Sequence, residues 1–468
     1  MIPRVVIAGT SSGAGKTTVA CGLIGALCAR GLTVQGFKVG PDYIDPSHHA
    51  LASGRPGRNL DAFLSGPELI APLARHGTAG ADVAVIEGVM GLFDGASGRG
   101  ELASTAHVAK LLDAPVVLVV DASAMARSAA AIVHGFRTYD PELRVAGVIL
   151  NRVGSDHHEQ LLREAIEPLG VPVLGALRRD ERVATPERHL GLVPAAERLP
   201  HAREALGALA AAIEQRTDLD ALLALARSAP ALDGPAWSAA QASLDESAAS
   251  GARADDASAE ARGARIAIAR GPAFSFHYEE NLELLHATGA ELLPFDPLHD
   301  AALPYGANAL ILAGGFPEVF GAELAANAPL RAQVAGLARS GAPVLAECGG
   351  LLYLCERLDG HEMCGVLPAH AQMGERLAAL GYREAAAVTA TPWLAAGTQV
   401  RGHEFHYARV EPAHGVHPAW TRAARGAERS EGFVAGGVQA SFLHVHWAAF
   451  PQLASGFARA AARRAVVL

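Results

Sequence analysis

Residues Gly9 to Thr18 read G-T-S-S-G-A-G-K-T-T, directly after the apolar run Val5-Val6-Ile7-Ala8. Small residues at such a junction let several backbone N–H groups converge on phosphate oxygens at the start of a helix, where the helix dipole also favours an anion. Lys16 can reach the outer phosphates and Thr17 can offer its hydroxyl to a magnesium ion, so the segment reads as a phosphate-binding loop and the chain is expected to bind a nucleoside triphosphate. Gly9, Thr10, Gly13, Gly15, Lys16, Thr17 and Thr18 are the candidate nucleotide contacts. The commonest spacing would place the first glycine at Thr10; here it is displaced to Gly9, which lengthens the loop. A second constellation lies at Val344-Leu345-Ala346-Glu347-Cys348-Gly349-Gly350, an apolar run entering a cysteine and then small residues. This is the sequence form of a nucleophile elbow: a sharp strand-to-helix turn presents the thiol, and the N–H of Gly349 can help hold an oxyanion. Gly315, in Ala313-Gly314-Gly315-Phe316-Pro317-Glu318, is the candidate second oxyanion donor. His444 and His446 are candidate bases, one residue apart on one face of an expected strand, so that either can point at Cys348; His444 is favoured.

The elements that must carry these groups follow from the pattern of the chain. Arg4 to Ala8, Thr33 to Val39, Asp82 to Ile86, Ala114 to Val120 and Val145 to Leu150 read as buried strands alternating with amphipathic helical segments, which predicts a parallel sheet with helices on both faces. Strand character resumes at Arg265 to Ala269, Ala309 to Ala313 and Pro343 to Ala346. The fold class expected is α/β, with two domains: residues 1–227 around the phosphate-binding loop and residues 264–468 around the elbow. Between them, 228–263 is Ala/Ser/Asp/Gly/Pro-rich and reads as a linker.

Composition narrows the function classes. With 468 residues, 19% of them charged, and a net charge of -9, the chain has no electrostatic footprint for nucleic acid or an anionic membrane. No apolar stretch approaches a membrane span, and Met1-Ile2-Pro3-Arg4 runs straight into the first strand, so a cytoplasmic location is expected. Five cysteines, an odd number, argue against a disulfide framework. Cys21, Cys28, Cys355 and Cys364 are expected to be core residues, and no Cys/His spacing suggests zinc.

Carboxylates at strand ends beside a phosphate-binding loop sit where ligands bind in open α/β sheets. Asp42 and Asp45, after the second strand, and Glu87, ending the third, are therefore candidate Mg²⁺ ligands together with Thr17; one aspartate suffices, because magnesium keeps waters and phosphate oxygens. Lys38 would help neutralise charge during phosphoryl transfer. Lys38, Tyr43 and Asp94 are candidate substrate contacts, Asp94 sitting in a glycine-bounded turn. Asn151, at the end of the strand Val145 to Leu150, is a candidate adenine contact. For His403 and His406, structural and substrate-contacting roles stay open.

Taken together these residues carry a resemblance. G-T-S-S-G-A-G-K-T-T is similar to the longer loop of dethiobiotin-synthetase-like proteins. With Phe37-Lys38-Val39-Gly40-Pro41-Asp42-Tyr43-Ile44-Asp45-Pro46, Glu87 to Gly95, Gly314 to Glu318, Glu347 to Gly350, Arg401 to Tyr407 and Ser441 to His446, the chain resembles the cobyrinic or hydrogenobyrinic acid a,c-diamide synthases, glutamine-dependent amidotransferases of corrinoid (cobalamin) biosynthesis, over nearly its whole length. The resemblance implies a C-terminal class I-like amidotransferase domain that releases ammonia from glutamine through a Cys348 thioester. It also implies an N-terminal synthetase domain in which ATP phosphorylates the a and c acetate groups of a corrin-ring acid and ammonia displaces phosphate. No His-x-Glu follows His444, in keeping with a family that relies on a cysteine and histidine pair. Whether the ring carries cobalt stays open, as does the oligomeric state, with a homodimer as one option. Thr105 and Arg188-His189-Leu190-Gly191-Leu192 resemble family positions near the synthetase site. Two competing readings remain: a neighbouring amidase of the cobyric acid synthase or nickel-sirohydrochlorin diamide synthase type, and an ATPase switch with an inactive amidotransferase domain.

Overall fold

In the computed structural model, Arg4–Gly9 (β1) is buried along its whole length, as the central strand of a sheet covered on both faces must be. The structure describes residues 2–179, 187–188, 191–192, 199–249, 261–424 and 427–465. After β1 the phosphate-binding loop leads into α1 (Lys16–Ala29), followed by β2 (Val34–Val39), α2 (Ile44–Ser53), β3 (Arg58–Leu60), α3 (Ile70–Gly77), β4 (Val83–Glu87), α4 (Thr105–Leu111), β5 (Val116–Asp121), α5 (Ser128–Thr138), β6 (Val145–Val153), α6 (Asp156–Ile166) and β7 (Val173–Arg178). The seven strands form one parallel sheet in the order β3-β2-β4-β1-β5-β6-β7. The chain reverses direction across the sheet beside β1, so the ends of β1, β2 and β4 open onto one crevice, and the phosphate-binding loop, Asp45 and Glu87 all border it.

The chain divides into two compact units, Met1–Trp237 and Ser238–Leu468. The first half of the stretch read as a linker is built into these units. Arg4, 1% exposed, donates from Nη2 to Pro230 O at 2.8 Å and from Nε to Leu112 O at 2.7 Å. Trp237 is buried, its backbone N–H bonds Pro72 O at 2.9 Å, and its ring meets that of His76 edge-on with centroids 5.0 Å apart. Ala239–Ala249 is a helix of the second unit, where Glu246 accepts from Ser455 Oγ at 3.0 Å. The alanines there carry helix propensity rather than marking an absence of structure. Residues 250–260 lie outside the described residues, as do 189–190 of the Arg188 to Leu192 segment; Glu187–Arg188 and Gly191–Leu192 pair as a short antiparallel hairpin.

The second unit is built on a six-stranded sheet. Glu291–Phe295, Arg265–Ala269, Ala309–Leu312, Val344–Glu347 and Val438–Ser441 run parallel in that order, and Phe433–Ala435 closes one edge antiparallel. Further antiparallel sheets lie in the same unit, the longest pairing joining Ala379–Ala387 to Gln399–His406, with His444–Val445 added at its edge. Apart from the strand at His444, these antiparallel strands were not among those expected.

Candidate functional site

The phosphate-binding loop closes on Gly15, whose φ of 98° lies in the left-handed region. A Cβ there would also fall 2.0 Å from Asn151 Nδ2, so glycine answers both strain and close approach. Asn151 does not present its amide outward for an adenine. Nδ2 donates to Ala14 O at 3.0 Å and Oδ1 accepts from the Arg152 N–H at 2.9 Å, so the side chain braces the loop itself. Lys16, 7% exposed, donates to Ser11 O at 3.1 Å and lies across the loop beside Gly9, while Thr10 N bonds Val119 O at 3.3 Å. Burial, with Lys38 nearby, lowers the Lys16 pKa to about 8. A polyanion at the loop would offset that penalty. Gly13, also at positive φ, and Thr18, in the first turn of α1, complete the segment.

Below the loop lies a closed polar cluster. Lys38 Nζ stands 2.6 Å from Asp45 Oδ2 and 2.8 Å from Glu87 Oε1, and it donates to Gly88 O at 3.0 Å. Thr17 Oγ1 lies 2.5 Å from Glu87 Oε1 and 3.4 Å from Asp45 Oδ2. The other Glu87 oxygen meets His49 Nε2 at 2.7 Å, with both side chains wholly buried. Burial opposes the Lys38 charge, but Asp45, Glu87 and Asp42 outweigh it and hold its pKa above the ordinary lysine value. Burial likewise opposes the charge on Glu87, yet Lys38 and His49 keep its pKa below the carboxylate range. Asp45 is pushed the other way, by burial and by Asp42 and Glu87. Lys38→Met would leave two carboxylates without their cation in this buried site. It is expected to destabilise the first unit by about 3–5 kcal/mol, measurable as a lower urea midpoint.

Of the four expected metal-site residues, Thr17, Asp45 and Glu87 converge. Asp42 Oδ1 instead accepts from the backbone N–H of Ile44 and Asp45, at 2.8 and 3.0 Å, and so caps the start of α2. Lys38, expected beside substrate, sits inside the cluster. Tyr43 directly precedes α2. Asp94 is exposed and its Oδ2 accepts from Gly91 N at 2.9 Å, the bond of a turn aspartate. Thr105 Oγ1 ties the following loop, accepting from Val89 N at 2.9 Å and donating to Val89 O at 3.1 Å. His49 had no sequence signal. It reaches Glu87 only because α2 packs on the sheet.

In the second unit, Cys348 joins strand Val344–Glu347 to helix Gly349–Leu354 with φ 48° and ψ -99°. A non-glycine residue held there costs of order 1–3 kcal/mol, strain of the kind that recurs at nucleophile elbows. The turn is tight enough that a Cβ at Gly350 would fall 2.0 Å from Leu312 O. A Cβ at Gly349 would lie 3.0 Å from Gly315 N, so the two glycine backbones expected to supply oxyanion donors are neighbours.

His444 is 2% exposed, hydrogen-bonded to Cys348, and its Nδ1 lies 3.6 Å from Glu347 Oε2. Burial would strip its proton, but Cys348 and Glu347 prevail and raise its pKa to about 10. His446 does not share this position. The strand ends at Val445, the chain turns into the short helix Trp447–Ala449, and His446 Nε2 lies 3.4 Å from Glu280 Oε2 with its ring against Tyr278. Glu347, adjacent to the cysteine in sequence, is the partner the motif did not announce. His403 pairs across from His444, and burial, His444 and Arg383 push its pKa down to about 3. His406 stacks on Phe442 with ring centroids 3.6 Å apart and bonds Ala408 O at 2.8 Å. The other thiols differ: Cys21, Cys355 and Cys364 are buried, the latter two pushed up to about 12, and Cys28 is half-buried.

A raised histidine pKa is a stability term with a definite sign. The stabilisation is fully present below the unfolded value near 6.5 and is lost as pH rises through about 10. The fluorescence melting point should therefore fall between pH 7 and 10 by more in the wild type than in His444→Gln. Three of the four tryptophans report on this unit.

The chain can be set beside known proteins on this footing. Residues 5–193 match the family model described as a CobQ/CobB/MinD/ParA nucleotide binding domain, and residues 265–452 match that of a CobB/CobQ-like glutamine amidotransferase domain. A hydrogenobyrinate a,c-diamide synthase of Streptomyces coelicolor is 57% identical over 97% of both chains. One of Mycobacterium bovis is 50% identical over 98% of each, and a cobyrinate a,c-diamide synthase of a Synechococcus species is 42% identical over 97% of this chain and 98% of its own. No helix among the described residues is long and apolar enough to cross a membrane. A nucleotide-binding unit and a cysteine-elbow unit in one chain, alike to these relatives end to end, place it plainly: it belongs to the a,c-diamide synthase family of glutamine amidotransferase-type ligases.

Proposed function

We propose that this protein amidates the a and c acetate carboxylates of hydrogenobyrinic acid, the metal-free corrin-ring acid, consuming one ATP and one glutamine at each. The observation that carries the amidotransferase half is Cys348, held strained at a strand-to-helix turn with His444 and Glu347 behind it. The Cys348 sulfur attacks the glutamine carboxamide carbon while the neighbouring glycine N–H groups steady the oxyanion. The C–N bond breaks, the leaving ammonia takes its proton from His444, and water hydrolyses the thioester to glutamate. In the synthetase unit a ring carboxylate oxygen attacks the γ-phosphorus of ATP. ADP leaves, ammonia attacks the acyl phosphate carbon, and phosphate departs.

Thr17, Asp45 and Glu87 form an all-oxygen set that fits a magnesium ion, which takes few protein carboxylates and keeps water and phosphate oxygens. When bound, the ion would neutralise charge on the outer phosphates. Lys38 fixes the orientation of Asp45 and Glu87, and His49 holds the second oxygen of Glu87. Lys16 reaches the transferred phosphoryl group, Asn151 braces the loop, and Tyr43 and Asp94 border the substrate.

The metal-free ring is preferred because the relatives at 57% and 50% identity are named for hydrogenobyrinate and the one at 42% for cobyrinate. Steady-state amidation of hydrogenobyrinic acid and of cobyrinic acid tests the point. A higher kcat/KM for the metal-free ring is expected, and a higher value for the cobalt ring would reverse the assignment.

A further inference from the structure

Behind the elbow, the second unit encloses a cavity of about 20 Å³, lined by Glu347, Gln439, Ser441 and Trp393 among apolar side chains. Strand Val344–Glu347 pairs in parallel with Val438–Ser441, placing Leu345 opposite Gln439 and Glu347 opposite Ser441. Side chains on one sheet face repeat every second residue, so Gln439 and Glu347 share the face that borders this cavity. Gln439 is 1% exposed, and neither its Nε2 nor its Oε1 has a hydrogen-bond partner among the described residues. The indole Nε1 of Trp393 is in the same position.

A carboxamide brings two donors and two acceptor lone pairs, and burying it without partners costs of order 1–3 kcal/mol. A buried strand such as Val438–Ser441 would be more stable with an apolar residue at 439, as in its neighbours Val344–Glu347 and Phe433–Ala435. The cavity has room for one water, which needs about 10–15 Å³ of this kind of space and two to four polar partners. Gln439, Trp393, Glu347 and Ser441 among the lining residues carry polar groups that can supply them.

We propose that one buried water links Gln439 and Trp393 to Glu347, and that Gln439 is thereby a positioning residue for the glutaminase half-reaction. The water holds the Glu347 carboxylate in the orientation that faces His444 Nδ1, and Glu347 in turn sets the imidazole toward Cys348. The water accepts from Gln439 Nε2 and Trp393 Nε1 and donates one hydrogen to Glu347, so both buried donors gain an acceptor. Direct contact between Gln439 and substrate is no part of this role. The inference rests on the reading of Cys348 and His444 as nucleophile and proton carrier.

The test uses the full chain with Gln439→Leu, which keeps the volume and removes the polar atoms, and Trp393→Phe, which removes the indole donor. Glutamine-dependent kcat is expected to fall about tenfold in Gln439→Leu. KM for glutamine and ammonia-dependent amidation should hold, and the pH profile of glutaminase kcat should shift. Trp393→Phe should move the same quantities in the same direction by less. A crystal structure of the wild type at a resolution that resolves ordered water should show one water bonded to Gln439 and Glu347. Wild-type glutaminase kcat and pH profile in both variants, or a dry cavity, would overturn the proposal. Should Gln439→Leu fail to fold, Trp393→Phe and the crystal structure decide it. A Cys348→Ala variant that still hydrolysed glutamine would instead defeat the underlying reading and leave the water itself unaffected.

Discussion

Cys348→Ala is expected to lower glutamine-dependent amidation by at least about 10⁴-fold while leaving amidation driven by free ammonia near the wild-type rate. In the proposed mechanism the sulfur is the atom that bonds the glutamine carboxamide carbon. His444 has no nucleophile to serve once the thiol is gone, and Cys355, Cys364 and Cys21 are buried and pushed toward the inert thiol form. Removing the sulfur also removes the reason for the strained φ at 348, and alanine keeps the small volume, so the fold should survive. Product analysis with glutamine and, separately, with ammonium salt checks both halves of the expectation. Loss with both nitrogen sources would mean that the cysteine matters to the fold rather than to glutamine hydrolysis.

Lys16→Ala should produce the complementary result. Amidation should fall about 10²–10³-fold with either nitrogen source, whereas glutaminase activity measured without the ring acid should persist. Lys16 lies across the proposed phosphate-binding loop, and burial makes its charge costly until a polyanion arrives. No neighbour can take its place, because Lys38 is committed to Asp45 and Glu87 in the cluster below. Phosphate release and glutamate formation, assayed side by side, separate the two effects. Amidation at the wild-type rate in Lys16→Ala would remove the loop from phosphoryl transfer.

What the chain disclosed in advance was set by how local each signal is. A strand buried on both faces writes itself as a run of Val, Ile and Leu, so Arg4–Gly9, Val34–Val39, Val83–Glu87, Val116–Asp121 and Val344–Glu347 could be read within a residue or two. The phosphate-binding loop and the elbow were equally legible, because backbone geometry at each demands particular small residues in a fixed order. The antiparallel strands of the second unit were not. Ala379–Ala387 reads A-L-G-Y-R-E-A-A-A, rich in helix formers, and is a strand because it pairs along its length with Gln399–His406, a tertiary preference that overrides the local one. Within 228–263 the helix Ala239–Ala249 was missed, since alanine favours helix where a neighbour offers a surface.

Site residues followed the same division. Lys16, Thr17, Glu87 and Cys348 were marked by motif position: Lys16 and Thr17 open α1, Glu87 ends β4, and Cys348 sits at a strand-to-helix turn. Asp42 and Asp45 looked equivalent in sequence; which one turns inward depends on the first turn of α2, where Asp42 caps two backbone N–H groups and Asp45 meets Lys38. His444 and His446 share a strand face by spacing, but the strand ends between them and sends them to different carboxylates, Glu347 and Glu280. His49 and Gln439 act through contacts between elements distant in sequence, and no spacing rule could have marked them.

The most direct test of the account is the mass of the product formed from hydrogenobyrinic acid, ATP and glutamine labelled with ¹⁵N in its side-chain amide. The account predicts a ring acid carrying two labelled amides, with one phosphate and one glutamate released for each. Unlabelled ring acid recovered after glutamine and ATP have both been consumed would contradict it.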